Sequence, residues 1–180
     1  KKRIVTVTRH TTTDELMETD SLITNEKGLC IAVMSADCVP ILLVDTKNKA
    51  IGAVHSGWRG TVAKILEKTL QEMQSQFGTN ADHVRAAIGP SVSQDSYEVG
   101  DEVVQAVRNV FGNKHNLLTL QTNGKAKLDL WKANVLQLEE FGVSRSRIEI
   151  SGLCTVKNNH HFFLACKGDA GRFAAGIMLV

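Results

Sequence analysis

The densest run of apolar positions in the chain lies between residues 29 and 45, written LCIAVMSADCVPILLVD. The run is broken near residues 36–40, so the pattern predicts strands buried on both faces with an interruption at that point. A polar turn, TKNK (46–49), and a second apolar run, AIGAVHSG (50–57), follow. A four-residue link is too short for a parallel crossover, and we therefore expect these two strands to form an antiparallel hairpin.

The remaining elements alternate between strand-like and helical patterns without a regular βαβ order. Apolar residues at helical spacing extend from Gly60 to Phe77, and Gly78 is suited to ending that helix. The predicted helices are 60–77, 100–111 and 129–142, and the further predicted strands are 3–8, 85–90, 148–152, 160–166 and 173–180, with a polar loop at 11–20. Strand hairpins combined with separate helices favour an α+β class over a regular βαβ fold, in a single domain, residues 1–180.

Composition narrows the class of protein and of partner. A chain of 180 residues with 43% hydrophobic and 22% charged residues has the balance of one soluble domain. Its net charge of +2 is too small to indicate nucleic acid or a membrane surface as a partner. The longest apolar stretch, 39–44, is too short to span a bilayer, and residues 1–7 lack the apolar segment of a secretory signal. Four cysteines without a CxxC pair indicate reduced thiols in a cytoplasmic protein, with Cys30 and Cys166 expected as small buried residues.

The hairpin brings reactive side chains together at its open end if its turn is centred between Lys47 and Asn48. Facing residue numbers then sum to 95, so that Pro40 faces His55. Side chains alternate along a strand, and Cys38 therefore points to the same side of the sheet as Pro40 and His55. Diagonal neighbours of this kind have Cβ atoms roughly 7 Å apart or closer, which lets a thiol and an imidazole reach a common point.

Several interpretations of this pair are open from the residues alone. A thiolate and a neutral imidazole are ligands of zinc or copper, although a catalytic zinc normally takes three protein ligands. The same two groups can be a nucleophile and its base, or a buried cysteine beside a hydrogen-bonded histidine. Arg59, between the two glycines of SGWRG, can hold a phosphate or carboxylate, or form an ion pair with Asp37 or another acid.

Longer motifs resemble a known family. The segments SADCVPILLVD, AVHSGWRGTVAKILE, AAIGPSVSQDSYEVGDEV, LDLWKANVLQL and LCT occur in the order expected of the multicopper polyphenol oxidase, or laccase-domain, family of purine nucleoside phosphorylases. The resemblance implies an α+β fold with mixed sheets that is not the cupredoxin fold. It also implies zinc-dependent phosphorolysis of adenosine, inosine and methylthioadenosine, together with deamination of adenosine, so that the expected partners are a purine nucleoside and phosphate.

The resemblance also implies site residues. Cys38 and His55 match two of three metal ligands, with zinc expected and copper possible. The residues themselves make Arg59 the candidate phosphate holder and catalytic group, and Asp37, beside Cys38, a candidate acid or base. The substrate-binding candidates are Arg59, Tyr97, Cys154, Thr155 and Arg172, and both Tyr97 and Glu98 look like family positions near the site. The structural alternatives are packing for Tyr97, capping of the following helix for Glu98, and a buried thiol for Cys154.

Two other activities are compatible with the same motifs. A metal-free hydrolase would use Cys38 and His55 on amide bonds, as in the editing of peptidoglycan precursors. A copper-dependent polyphenol oxidase is a weaker alternative, because one cysteine and one or two histidines cannot assemble a multicopper cluster. An inactive fold or assembly module is a third alternative.

The chain departs from the family pattern in two places. The third ligand, a histidine, is expected immediately before Lys1, and the family's amino-terminal β-rich portion is missing, so we expect a truncated form of a longer protein. His10, which follows the first predicted strand, is expected to be a solvated loop residue. In FFLACKGDAGR (162–172), Leu164 and Cys166 stand where relatives have serine and arginine, while Arg172 matches.

Overall fold

Eleven strands and four helices build the part of the chain that the computed structural model describes, residues 3–113, 115–163, 168 and 170–180. In chain order they are β1 (Arg3–Thr6), β2 (Thr19–Thr24), β3 (Cys30–Ser35), β4 (Val39–Asp45), β5 (Ala50–Ser56), α1 (Trp58–Val62), α2 (Ile65–Phe77), β6 (Val84–Ile88), β7 (Glu98–Val99), α3 (Asp101–Phe111), β8 (Leu118–Leu120), β9 (Ala126–Leu128), α4 (Leu130–Phe141), β10 (Ile148–Ile150) and β11 (Phe173–Met178).

Three sheets share these strands. The largest has the order β1-β2-β5-β4-β6-β10, in which the four inner strands are antiparallel and each outer strand runs parallel to its neighbour. Strands β3 and β11 form a second, antiparallel sheet, and β7, β9 and β8 form a third. The main apolar cluster joins the large sheet to the helices, and a smaller one lies between β3 and β5. The predicted α+β class with mixed sheets is confirmed.

The hairpin of β4 and β5 has the predicted register. Val44 faces Ile51 and Pro40 faces His55, as the turn centred between Lys47 and Asn48 requires. Asp45 fixes that turn, because its Oδ1 accepts hydrogen bonds from the backbone N–H groups of Lys47 and Asn48, both at 3.0 Å. The side chain of a single aspartate therefore sets an even loop length, and with it the face on which every residue of the hairpin lies.

Strand β3 differs from the prediction of burial on both faces. Its residues alternate between exposed and buried, and Cys30, expected as a small buried residue, is exposed. The reason lies in its place in the fold, because β3 pairs with β11 outside the central sheet and buries only one face against β5. An apolar sequence run therefore did not distinguish a strand covered on both sides from one covered on one side.

The helix predicted from Gly60 to Phe77 is also corrected. It is two helices, α1 and α2, separated at Lys64, whose backbone is left-handed with φ +56°. The Lys64 ammonium bonds to Glu67 and Glu140, which holds this residue at the corner. Gly78 ends α2 as predicted, with φ +70°.

Two further segments depart from the sequence prediction. Part of the loop expected at 11–20 belongs to strand β2, which begins at Thr19. Residues 160–163 of the strand expected at 160–166 lie in a turn, and residues 164–166 lie outside the described residues. Among the described helices, none is long and apolar enough to cross a membrane.

Candidate active site at the open end of the hairpin

Three adjacent strands deliver polar side chains to one place. Cys38 directly precedes β4, and His55 is the penultimate residue of β5. On the other side of β5, Ser21 of β2 faces Val54, and the preceding residue, Asp20, contacts His55 through its carboxylate. A carboxylate, an imidazole and a thiol therefore lie side by side across β2, β5 and β4 where the hydrophobic pattern ends.

These side chains line a cavity of about 230 Å³, which we call the Arg59 cavity. Its lining residues are Asp20, Cys38, His55, Gly57, Trp58, Arg59 and Gly60. The prediction that Cys38 and His55 share a face of the hairpin is confirmed by the register and by this common cavity. Their roles as metal ligands remain a prediction.

His55 is oriented by Asp20. The ring atom Nδ1 lies 3.2 Å from Asp20 Oδ1, and the two side chains are 33% and 17% exposed. Asp20 was missed in the sequence because it stands in a polar segment that looked like a loop. Only the short apolar pair Leu22–Ile23 marked the strand that carries it.

Arg59 reaches the cavity from the first turn of α1, which begins directly after β5. Its guanidinium carbon lies 4.3 Å from the centre of the Trp58 ring, and this cation–π contact orients the group while leaving its N–H donors available. The structure brings Arg59 to the same cavity as Cys38 and His55, and its role there remains a prediction.

A second cavity, of about 110 Å³, adjoins the first, and we call it the Tyr97 cavity. Its lining residues are Asp37, Cys38, Val92, Ser96, Tyr97 and Leu130, so that Cys38 belongs to both cavities. Burial of the phenol raises the pKa of Tyr97 to about 12, with Cys38 and Asp37 adding to the effect and Arg59 opposing it. Tyr97 is therefore a protonated hydroxyl at neutral pH, with one hydrogen to donate.

The surroundings of Cys38 disfavour a thiolate. Burial raises the pKa of the Cys38 thiol, the carboxylates of Asp37 and Asp20 raise it further, and Arg172 opposes them. A free cysteine nucleophile is normally activated by the opposite arrangement, in which positive charge lowers the pKa.

The predicted wall residues Cys154 and Thr155 stand behind the site. Both are buried, with 4% and 0% exposure, so that neither offers surface to a substrate in this conformation. Thr155 Oγ1 donates a hydrogen bond to Asp37 Oδ1 at 3.0 Å, which positions that carboxylate. Burial raises the pKa of Cys154, but hydrogen bonds with Ser93 and Ser96 outweigh it and lower the value to about 7.

Other sequence candidates lie away from the two cavities. Glu98 does not cap α3, because its carboxylate bonds to Lys125 and Asn123 while Gly100 occupies the capping position. His10 is exposed, as predicted, and belongs to neither cavity. The substituted positions Leu164 and Cys166 lie outside the described residues.

The sulfur and nitrogen donors at this site are of the kinds that bind zinc, but they are fewer than a zinc ion needs. A thiol and an imidazole line one cavity, and a carboxylate hydrogen-bonded to one nitrogen of the imidazole, as Asp20 is to Nδ1, is the usual support of a metal-binding histidine. Within the described residues, no group of three or more histidine, cysteine or acidic side chains is arranged to hold a metal. Cys38 and His55 thus supply two donors of the three that a catalytic zinc normally takes.

Relatives of known name match most of the chain. A purine nucleoside phosphorylase of Bacteroides thetaiotaomicron is 44% identical over 163 residues, which cover 89% of this chain and 60% of that protein. Adenosine deaminase RL5, from an unknown prokaryotic organism, is 40% identical over 88% of this chain and 61% of its own length. The chain therefore spans about three-fifths of the length of these two relatives.

Solved structures agree with the fold. The hypothetical protein YfiH of Bacillus licheniformis superposes with a TM-score of 0.93 at 29% identity, over 100% of this chain and 71% of that one. YlmD from Geobacillus stearothermophilus gives 0.91 at 31% identity, over 99% and 70%. The fold is that of these proteins and not the cupredoxin fold. A family model described as multi-copper polyphenol oxidoreductase laccase matches residues 1–180, and the chain belongs to that family.

Proposed function

We propose that the chain contains the reaction centre of a zinc-dependent purine nucleoside phosphorylase acting on adenosine, inosine and methylthioadenosine, which also deaminates adenosine. The observation that carries the proposal is the meeting of a thiol, an imidazole and a guanidinium around one cavity. The names of the relatives, purine nucleoside phosphorylase and adenosine deaminase, support the same class of substrate.

Cys38 and His55 are the proposed zinc ligands in the described residues. These two residues would hold a zinc ion as a Lewis acid that would lower the pKa of water towards neutrality, which is the chemistry that deamination of a purine requires. The raised pKa of the Cys38 thiol is consistent with a sulfur that becomes a thiolate only when it binds a cation.

The two cavities are assigned to the two substrates of phosphorolysis. Arg59 is the donor of charge-assisted hydrogen bonds to phosphate, which a guanidinium binds with two parallel N–H groups. The Tyr97 cavity, with the apolar side chains of Val92 and Leu130, is the proposed site of the purine ring. The phenol of Tyr97 has a hydrogen to donate to a ring nitrogen or carbonyl oxygen of the base.

Phosphorolysis joins a phosphate oxygen to the anomeric carbon while the bond from that carbon to the base nitrogen breaks. The base leaves with the electron pair of that bond and needs a proton or a hydrogen bond to accept it. Asp37 is the acidic side chain that lines the Tyr97 cavity, and Thr155 holds it in place. We assign the hydrogen bond to the leaving nitrogen to the protonated Tyr97 hydroxyl, and we assign Asp37, whose carboxylate only accepts hydrogen bonds, the orientation of the base.

Neither alternative activity has the same support. A metal-free hydrolase would require an activated Cys38, whose pKa is instead raised by burial and by two carboxylates. A multicopper oxidase would require clusters of ligands that the described residues do not provide.

Replacement of Arg59 tests the phosphate assignment. Arg59→Ala removes charge-assisted hydrogen bonds, each typically worth about 1.5–3 kcal/mol, and should raise the KM for phosphate by about 10- to 100-fold. The KM for inosine should change less, and Arg59→Lys should recover part of the loss. Initial rates at varied phosphate and at varied nucleoside measure both constants. The matched control is Arg85→Ala, at an exposed position of β6, and an unchanged phosphate KM in Arg59→Ala would refute the assignment.

Gly57 tests whether the position of the Cys38 sulfur matters. A Cβ at Gly57 would lie 2.8 Å from Cys38 Sγ, so Gly57→Ala must displace the sulfur atom. Activity should fall on the order of a hundredfold, because an active-site group displaced by 1 Å has an effect of that size. The free energy of unfolding should change by less than about 1 kcal/mol, since only the end of one side chain has to move.

The control for this change is another glycine-to-alanine substitution. A Cβ at Gly100 meets no atom within 4 Å, so Gly100→Ala should leave activity unchanged. Activity measured beside chemical denaturation separates displacement of the sulfur from loss of folding. Full activity in Gly57→Ala would show that Cys38 Sγ has no required position.

A further inference from the structure

We propose that Asp20 is a positioning residue, which holds His55 in the tautomer that bears its proton on Nδ1 and leaves Nε2 available to the Arg59 cavity. The influence of Asp20 on His55 follows from the geometry alone. Its consequence for metal binding rests on the proposed function.

The first step is the cross-strand pairing of the two residues. The β2–β5 ladder ends with Ser21 opposite Val54, and Asp20 and His55 are the next residues of the two strands. Asp20 Oδ1 lies 3.2 Å from Nδ1 of the ring. Both residues belong to strands of one sheet, and this contact limits the ring orientations open to His55.

The second step concerns the donor and acceptor in this hydrogen bond. An ionised carboxylate has no hydrogen to donate, so the hydrogen in the bond must come from Nδ1. A neutral imidazole carries one N–H, and Nε2 is then left with a lone pair. A lone pair on Nε2 is what a metal ligand or a general base needs.

The third step concerns the location of Asp20. Its side chain is only 17% exposed and lines the cavity that contains Cys38, so its carboxylate lies in the cavity wall rather than in bulk solvent. A surface ion pair of this length would have little effect on its partner. The partly buried pair on adjacent strands has a fixed geometry that an exposed pair lacks.

The decisive measurement is the tautomer of His55 in the metal-free full chain. Two-bond ¹H–¹⁵N correlation spectra distinguish a ring protonated on Nδ1 from one protonated on Nε2, and the spectrum of His55→Gln assigns the signals. At about pH 8.5, above the ordinary pKa of histidine, wild type should show the Nδ1–H form. Asp20→Ala should shift His55 towards the Nε2–H form, and Asp20→Asn should lie between them, because an amide can still accept through its oxygen.

Zinc affinity gives the second readout. Competition with a chromogenic chelator should show a Zn²⁺ dissociation constant about 10- to 100-fold higher in Asp20→Ala, with a smaller rise in Asp20→Asn. Asp14→Asn, an exposed carboxylate shortly before β2, removes the same charge and should change neither readout.

The two proposals fail in different ways. An unchanged Nδ1–H tautomer in Asp20→Ala would overturn the role of Asp20, whatever the zinc affinity. Absence of zinc binding by wild type, with the tautomer still controlled by Asp20, would overturn the metal site and leave the positioning role in place.

Discussion

Removal of divalent metal from the holoenzyme with a chelator is expected to abolish both phosphorolysis of inosine and deamination of adenosine, and added Zn²⁺ is expected to restore them. The reason is that Cys38 stands beside the carboxylates of Asp37 and Asp20, where burial and negative charge keep the free thiol protonated and unreactive. Chromatographic separation of nucleoside, base and ribose 1-phosphate measures both reactions. X-ray absorption of the reconstituted protein should give Zn–S and Zn–N bonds of about 2.3 and 2.1 Å.

Substitution of Cys38 or His55 does not distinguish zinc catalysis from catalysis by a cysteine nucleophile. Cys38→Ser and His55→Ala remove a ligand or a catalytic thiol and base alike, so both readings predict inactive proteins. Chelation separates them, because a cysteine nucleophile needs no ion and is inhibited by zinc on its sulfur. Full turnover by the metal-free protein, lost on alkylation of Cys38, would overturn zinc catalysis.

Replacement of Asn134 by alanine is expected to lower the free energy of unfolding by about 2–3 kcal/mol. The residue is fully buried in α4, where its amide accepts a hydrogen bond from Ser56 Oγ at 2.9 Å and donates one to the Leu130 carbonyl at 2.8 Å. Ser56 in turn bonds to Thr61 of α1 at 2.9 Å. Alanine leaves a cavity and an incomplete buried polar network, and each has a large energetic cost.

Chemical denaturation measures this loss, and Asn123→Ala provides the matched control. Asn123 is exposed, and its replacement should change stability by less than about 0.5 kcal/mol. Ser56 is the residue after His55, and Thr61 lies two residues after Arg59. Loss of the hydrogen bonds among Asn134, Ser56 and Thr61 should therefore also loosen the turn that joins His55 to Arg59. Equal stabilities for Asn134→Ala and Asn123→Ala would show that the network contributes nothing.

The hairpin could be predicted from sequence to the level of individual facing residues. Two apolar runs of similar length and a polar link of known length leave few registers, and alternation then assigns each side chain to a face. Asp45, which selects the turn, acts on its immediate neighbours, so its effect is local as well. The relation of Cys38 to His55 needed no long-range information.

Features that depend on distant contacts could not be predicted. Asp20 belongs to the site only because β2 pairs with β5, and no local pattern in a polar segment indicates its partner. The corner at Lys64 depends on Glu140, which is remote in sequence. Cys30 is exposed because the large sheet covers only the other face of β3, and which face is covered is decided by how the sheets pack.

The sharing of Cys38 by the two cavities has a consequence for inhibitor design. A single molecule that fills both cavities must pass over this sulfur, because the thiol forms part of the wall of each. On the proposed assignment of the purine to the Tyr97 cavity and the phosphate to the Arg59 cavity, a spacer that joins a purine to an anionic group passes a soft, polarisable atom. A spacer bearing a zinc-binding group would meet the proposed zinc ligand Cys38 where the two cavities join.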